Sequence, residues 1–132
     1  VPLIAEYDGL RFIFDGYKFN FFDPAATATV IREHYKNFST KLNADFLPAE
    51  DMLNTAGYQM LQRGDTAKAL EYFQLNIDLY PQSFNTWDSM AETLMAKGDY
   101  KKAISYYEKS IALNPKNENG KQMIKKMKEK MQ

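Results

Sequence analysis

The chain contains no cysteine and a single histidine. The first absence excludes disulfides and every cysteine-based metal site. The second leaves His34 with no further imidazole or thiolate to complete one. There is one Trp, no apolar run of the roughly 18 residues that a membrane span needs, and no excess of either charge. Seventeen Lys plus Arg stand against 17 Asp plus Glu, so bulk electrostatics draws the chain neither to nucleic acid nor to an anionic membrane. The short motifs of catalysis are missing too. There is no Gly-x-Ser-x-Gly elbow, no phosphate-cradling glycine-rich loop and no His-Glu-x-x-His pair. A Ser–His–Asp triad within the chain would depend on His34 alone. No catalytic residue, cofactor-binding residue, metal ligand or cofactor is therefore expected here.

What the sequence does have is repetition. In its 132 residues, a shift of 34 positions lays Gly64-Asp65 on Gly98-Asp99, Lys68-Ala69 on Lys102-Ala103 and Tyr72-Phe73 on Tyr106-Tyr107. The same shift lays Ile77, Leu79 and Pro81 on Ile111, Leu113 and Pro115. Within each unit the apolar residues recur at helical spacing. In the second unit, Trp87, Met90, Ala91, Leu94 and Met95 predict a helix over about 85–97, and Ala103, Ile104, Tyr107 and Ile111 predict another over 100–113. Gly98-Asp99 breaks the first and Asn114-Pro115 stops the second, because glycine accepts the left-handed conformation that ends helices and proline cannot continue one. The first unit repeats this over 50–63 and 66–79. Small residues, Gly57, Ala69, Ala91 and Ala103, stand where two helices must approach closely. Asp65 and Asp99 are expected to serve turn hydrogen bonds rather than chemistry.

This pattern resembles the tetratricopeptide repeat (TPR) family, whose repeat has that same period. Gly57/Ala91, Gly64/Gly98, Ala69/Ala103, Phe73/Tyr107 and Pro81/Pro115 fall on its signature positions in both units, and Trp87 supplies its early aromatic in the second. Leu53 replaces that aromatic in the first unit, and Met60 and Leu94 stand where the family places one in mid-helix. The resemblance implies an all-α chain of helix-turn-helix repeats, an α–α superhelix, with flanking capping helices. It also implies a concave surface lined by the first helix of each unit, which here carries Asn54, Tyr58, Leu61, Asn85, Asp88, Glu92 and Met95. That surface is mixed and slightly acidic. It lacks the lysines of the family's carboxylate clamp, so a neutral or basic peptide is the expected ligand.

Two repeats need caps, since each exposes an apolar face to its neighbour. The organisation expected is an apolar and aromatic segment at 1–22, a capping helix and linker at 23–49, repeats at 50–83 and 84–117, and a capping helix at 118–132. In the last of these, Met123, Ile124, Met127 and Met131 form a stripe among Lys121, Lys125, Lys126, Lys128 and Lys130. Such a helix can meet an acidic surface, but a solvated cap laid on the last repeat is the favoured reading, because repeat arrays need a polar-faced cap. Asp23-Pro24 predicts the start of a helix over about 24–42, with Val30, Ile31, Tyr35, Phe38 and Leu42 as its stripe and His34 beside it.

The 1–22 segment is unusually apolar, with Leu3, Ile4, Tyr7, Leu10, Ile13 and Phe14 at the spacing of a short helix. Residues Val1 to Phe14 resemble the last helix of the α/β-hydrolase group of enterochelin-esterase-like and esterase-D-like bacterial enzymes. The stretches 53–61 and 80–89 resemble the tetratricopeptide tail that some of those enzymes carry, notably in Bacteroidetes. That resemblance implies a non-catalytic accessory module at the C-terminus of a bacterial serine esterase, the catalytic residues preceding Val1, with export to the cell envelope. The chain's first partner would then be its own missing hydrolase domain. The alternative is a free-standing adaptor that binds a peptide in its concave groove. In isolation, residues 1–22 are expected to dock across the repeat surface or to pair with a second copy.

Overall fold

The computed structural model describes residues 16–132. The helix expected over 2–14, and with it most of the 1–22 segment, lies outside the described residues. Two compact units divide the chain, one ending at Ala49 and the other spanning Glu50–Gln132.

In the first unit, helix α1 runs over Ala28–Leu42. It starts four residues later than the Asp-Pro signal predicts. Thr27 is the cap, its hydroxyl accepting the Val30 N–H at 3.2 Å. Asp23 instead folds a turn: its carboxylate accepts the Ala25 N–H at 2.8 Å, and its carbonyl accepts the Ala26 N–H at 2.9 Å. An aspartate followed by proline suits either use, because proline fits a turn as well as a first helical turn. The buried stripe is Ile31, Tyr35 and Phe38. Val30, one residue and so about 100° around the helix from Ile31, is 40% exposed.

The aromatic surplus near the start finds much of its packing here. Tyr17 meets Tyr35 edge-on, the ring centroids 5.3 Å apart, and donates its hydroxyl to the Leu47 carbonyl at 3.0 Å. Phe38 and Phe46 lie 4.8 Å apart. The half-buried His34 is 2.9 Å from the Gly16 carbonyl through Nε2 and stacks edge-on with Phe19 and Tyr35.

The second unit consists of α2 (Glu50–Gln62), α3 (Thr66–Leu79), α4 (Phe84–Ala96), α5 (Tyr100–Leu113) and α6 (Glu118–Lys130). Each helix packs on the next, and α2 also touches α4. No strand occurs among the described residues. The expected bounds hold to within two residues because the breaks are local. Gly64 and Gly98 have φ of 81° and 88°. After them the Asp65 and Asp99 N–H groups reach back to the Met60 and Leu94 carbonyls at 2.9 and 3.0 Å, closing the helix ends. The same aspartates then cap the following helices, accepting the Lys68 and Lys102 N–H groups at 3.1 and 3.4 Å. Each Gly-Asp pair is thus a stop and a start.

The core of this unit lies between its helices, with Leu53, Tyr72, Phe73, Leu75, Ala91, Tyr107 and Met127 nearly inaccessible. Gly57 has a steric reason: a Cβ there would run into the Phe73 ring. Ala91, its counterpart in the second repeat, carries its methyl fully buried. At the far end, α6 turns Met127 inward and keeps its five lysines exposed. Lys121, Lys125 and Lys128 stand one repeat period beyond Trp87, Ala91 and Leu94, so the helix is polar where α4 is apolar. None of the described helices is long and apolar enough to cross a membrane.

Candidate functional site

The residues expected to line one face lie on α2 and α4, and the repeat register pairs them as Asn54/Asp88, Tyr58/Glu92 and Leu61/Met95. The second pair meets directly. The Tyr58 hydroxyl donates to Glu92 Oε2 at 2.6 Å, a short bond of the kind that a carboxylate acceptor produces. Beside it the Ser89 hydroxyl donates to Asn54 Oδ1 at 2.7 Å. Two polar ties therefore join equivalent faces of the two helices, while Leu61 and Met95 are half-buried and Asn85 is exposed.

Asp88 does something else. Its Oδ1 accepts from Asn117 Nδ2 at 2.8 Å and from the Ser110 hydroxyl at 3.2 Å. Asn117 Nδ2 also reaches Ser110 Oγ at 3.0 Å, and its own Oδ1 caps α6 by accepting the Gly120 N–H at 3.0 Å. The single Ser110 hydroxyl proton is shared between Asp88 and the Phe84 carbonyl, 3.0 Å away, and Asn76, the counterpart of Ser110 in the first repeat, donates to the Glu50 carbonyl at 3.1 Å. Asp88 is thus committed to holding α4, α5 and the start of α6 together, and only its charge reaches the tyrosines.

Ser89, Ser110 and Asn117 were not among the expected site residues. A signal for Ser110 did exist. Its register holds a polar residue in both units, Asn76 and Ser110, inside otherwise apolar stripes, and buried polar groups require partners. Ser89 gave no such signal, because it stands one residue outside the register of Asn54.

Burial pushes the Tyr58 phenol up to about 12, the bond to Glu92 adds to the shift, the Ser89 hydroxyl opposes it and the Asp88 charge adds a little. Burial, followed by the Asp88 and Glu92 charges, moves the Tyr107 phenol in the same direction. A phenol whose folded-state pKa lies above the ordinary value of about 10 favours the fold below that pH, and its contribution is lost as the pH rises toward about 12. Stability measured by urea titration at successive alkaline pH values should therefore fall over that interval. The fall should be shallower in Tyr58→Phe, which has no proton to lose there. An identical pH dependence of the two proteins would contradict the assignment.

Chemically, this face can donate and accept hydrogen bonds through a neutral phenol, a carboxylate and an amide, while the Ser89 hydroxyl is buried beneath it.

Two family models, each described as tetratricopeptide repeat, match residues 52–83 and 84–117. Together they span half of the chain. No curated protein matches it.

Proposed function

From a chain that belongs to the tetratricopeptide repeat family, we propose a protein-interaction module that engages a peptide or protein surface across the face built by α2 and α4. The observation that carries this reading is the pair of cross-repeat ties, Tyr58 to Glu92 and Ser89 to Asn54. They fix the polar groups of that face before any partner arrives, and fixing them beforehand lowers the ordering cost of binding. The half-buried Leu61 and Met95 flank the ties with apolar surface. Tyrosine, with a large ring and a polar tip, is the residue type most suited to anchor such a contact.

The full chain probed against an array of soluble peptides tests this. Retention of a discrete set of peptides is expected, with affinity lowered about tenfold or more in Tyr58→Ala. An array on which nothing is retained, or on which the variant retains the same peptides equally, overturns the reading.

The setting proposed for this module is the C-terminal tail of a bacterial serine esterase. The Val1–Phe14 stretch and the stretches 53–61 and 80–89 support it through their resemblance to such enzymes. A gene whose upstream region encodes no Ser–Asp–His hydrolase domain would remove that setting and leave the free-standing adaptor.

A further inference from the structure

The balanced charge of the chain conceals a strong imbalance within its second unit. Residues 50–96 carry seven carboxylates against Arg63 and Lys68, while residues 97–132 carry ten lysines against four carboxylates. At the basic end, α4 and α6 leave a cleft of about 390 Å³ between them. Its lining includes Met95, Met123 and Met127 together with the Tyr100 ring, and its rim carries Lys126 and Lys130. The Lys130 ammonium stands 5.9 Å from the centre of the Tyr100 ring, a cation–π distance that holds its charge over the mouth. Lys126 occupies the register of Tyr58 and Glu92, so successive helices present a phenol, a carboxylate and an ammonium. Among the described residues neither lysine is in an ion pair.

We propose that this cleft docks an acidic amphipathic segment of a partner protein, one bulky aliphatic or aromatic side chain entering among the methionines while flanking carboxylates meet Lys126 and Lys130. The reading rests on the interaction-module function above and names the chemistry of a partner for its basic end. Three features support it. Methionine is unbranched and polarisable, so a methionine-lined cleft reshapes itself around different apolar side chains. Two exposed ammonium groups without carboxylate partners give up no salt bridge when an acidic ligand arrives. The excess of lysine over carboxylate in residues 97–132 raises the encounter rate with a negatively charged segment. A nucleic acid or an anionic bilayer would meet the lysines but leave the narrow apolar floor unused. The expectation of a neutral or basic ligand, drawn from Asp88 and Glu92, belongs to the α2–α4 face and not to this end.

The test uses the full chain and a fluorescent helical peptide with leucine along one face and glutamate elsewhere. Two control peptides replace glutamate by lysine or leucine by serine. Fluorescence anisotropy is expected to show saturable binding of the acidic leucine peptide, weakening with salt. Both controls should bind at least about tenfold more weakly. The double variant Lys126→Glu, Lys130→Glu should lose at least about tenfold as well. Both side chains are exposed, so the fold should persist, which circular dichroism verifies. Equal binding of the basic peptide, indifference to the double variant, absence of saturable binding, or displacement of the peptide by anionic vesicles or oligonucleotides each overturns the proposal. Tyr58→Ala run in parallel separates the two readings: peptides lost in that variant and kept by the lysine variant would remove the cleft and leave the α2–α4 interaction face intact.

Discussion

A chain carrying Phe73→Ala is expected to lose about 3–5 kcal/mol of stability, and Gly57→Ala is expected to harm the native protein but help that variant. Phe73 is 1% exposed and packs edge-on against Tyr58 at 5.1 Å. Deleting the ring removes its transfer free energy and leaves a cavity between α2 and α3. Gly57 faces the same ring, and a Cβ there would overlap three of its carbons. The ring is locked by burial and cannot withdraw, so overpacking at this site should cost about 1–3 kcal/mol. That exceeds the roughly 1 kcal/mol by which alanine improves on glycine within a helix. Without the ring the clash disappears, the methyl fills part of the cavity and the propensity gain is realised. Urea denaturation of the four proteins of this cycle should therefore show a change of sign at position 57, with a coupling of about 2 kcal/mol. Strict additivity would mean that the two residues do not share the space that the structure gives them.

Asn117→Ala should cost about 2–4 kcal/mol, unusual for a residue in a turn. One side chain there caps α6 through Gly120, bonds Ser110 and supplies a donor to the Asp88 carboxylate. An alanine removes all three contacts, and the carboxylate loses a partner in a part-buried position. Gly120 is matched to this asparagine, since a Cβ on it would sit 2.9 Å from Asn117 Nδ2. The loss should be concentrated at the end of the array. Hydrogen exchange is expected to show α6 amides losing protection while those of α2 and α3 keep theirs. Asn117→Ser, which can still accept from the Gly120 N–H but falls short of Asp88, should lie between the two. A uniform loss of protection along the unit would count against this division of labour.

How far these relations could be read beforehand depends on their range. Helices α2 to α6 were legible because each Gly-Asp and Pro signal acts on the residues next to it. The start of α1 was not, because Asp23 and Thr27 both offer a cap oxygen, and the choice turns on which backbone N–H the aspartate reaches first. At the candidate site, the repeat pattern put Tyr58 and Glu92 on one expected face, and the structure adds the bond between them. The direction of Asp88 could not be read the same way. It is decided by donors from Ser110 and Asn117, 22 and 29 residues away, whose positions exist only once α5 and α6 have packed. The basic end was visible as a run of lysines, yet the methionine cleft beneath it needs three helices to form.

The unlike pairs at equivalent places, Gly57 with Phe73 and Ala91 with Tyr107, bear on how the chain reaches this arrangement at all. Tandem units of similar sequence can mispair while folding, one unit's helix closing on the other's partner. Here such an exchange would press the Ala91 methyl against a phenylalanine whose own partner had to be a glycine, and would leave Gly57 without the Phe73 ring that occupies the place of its missing Cβ. The polar partners differ too, Glu50 answering to Ser83 and Asp88 to Asn117. Two segments that a family description treats as copies are therefore not interchangeable, and the mismatch disfavours the pairing of one unit's helix with the other unit's partner.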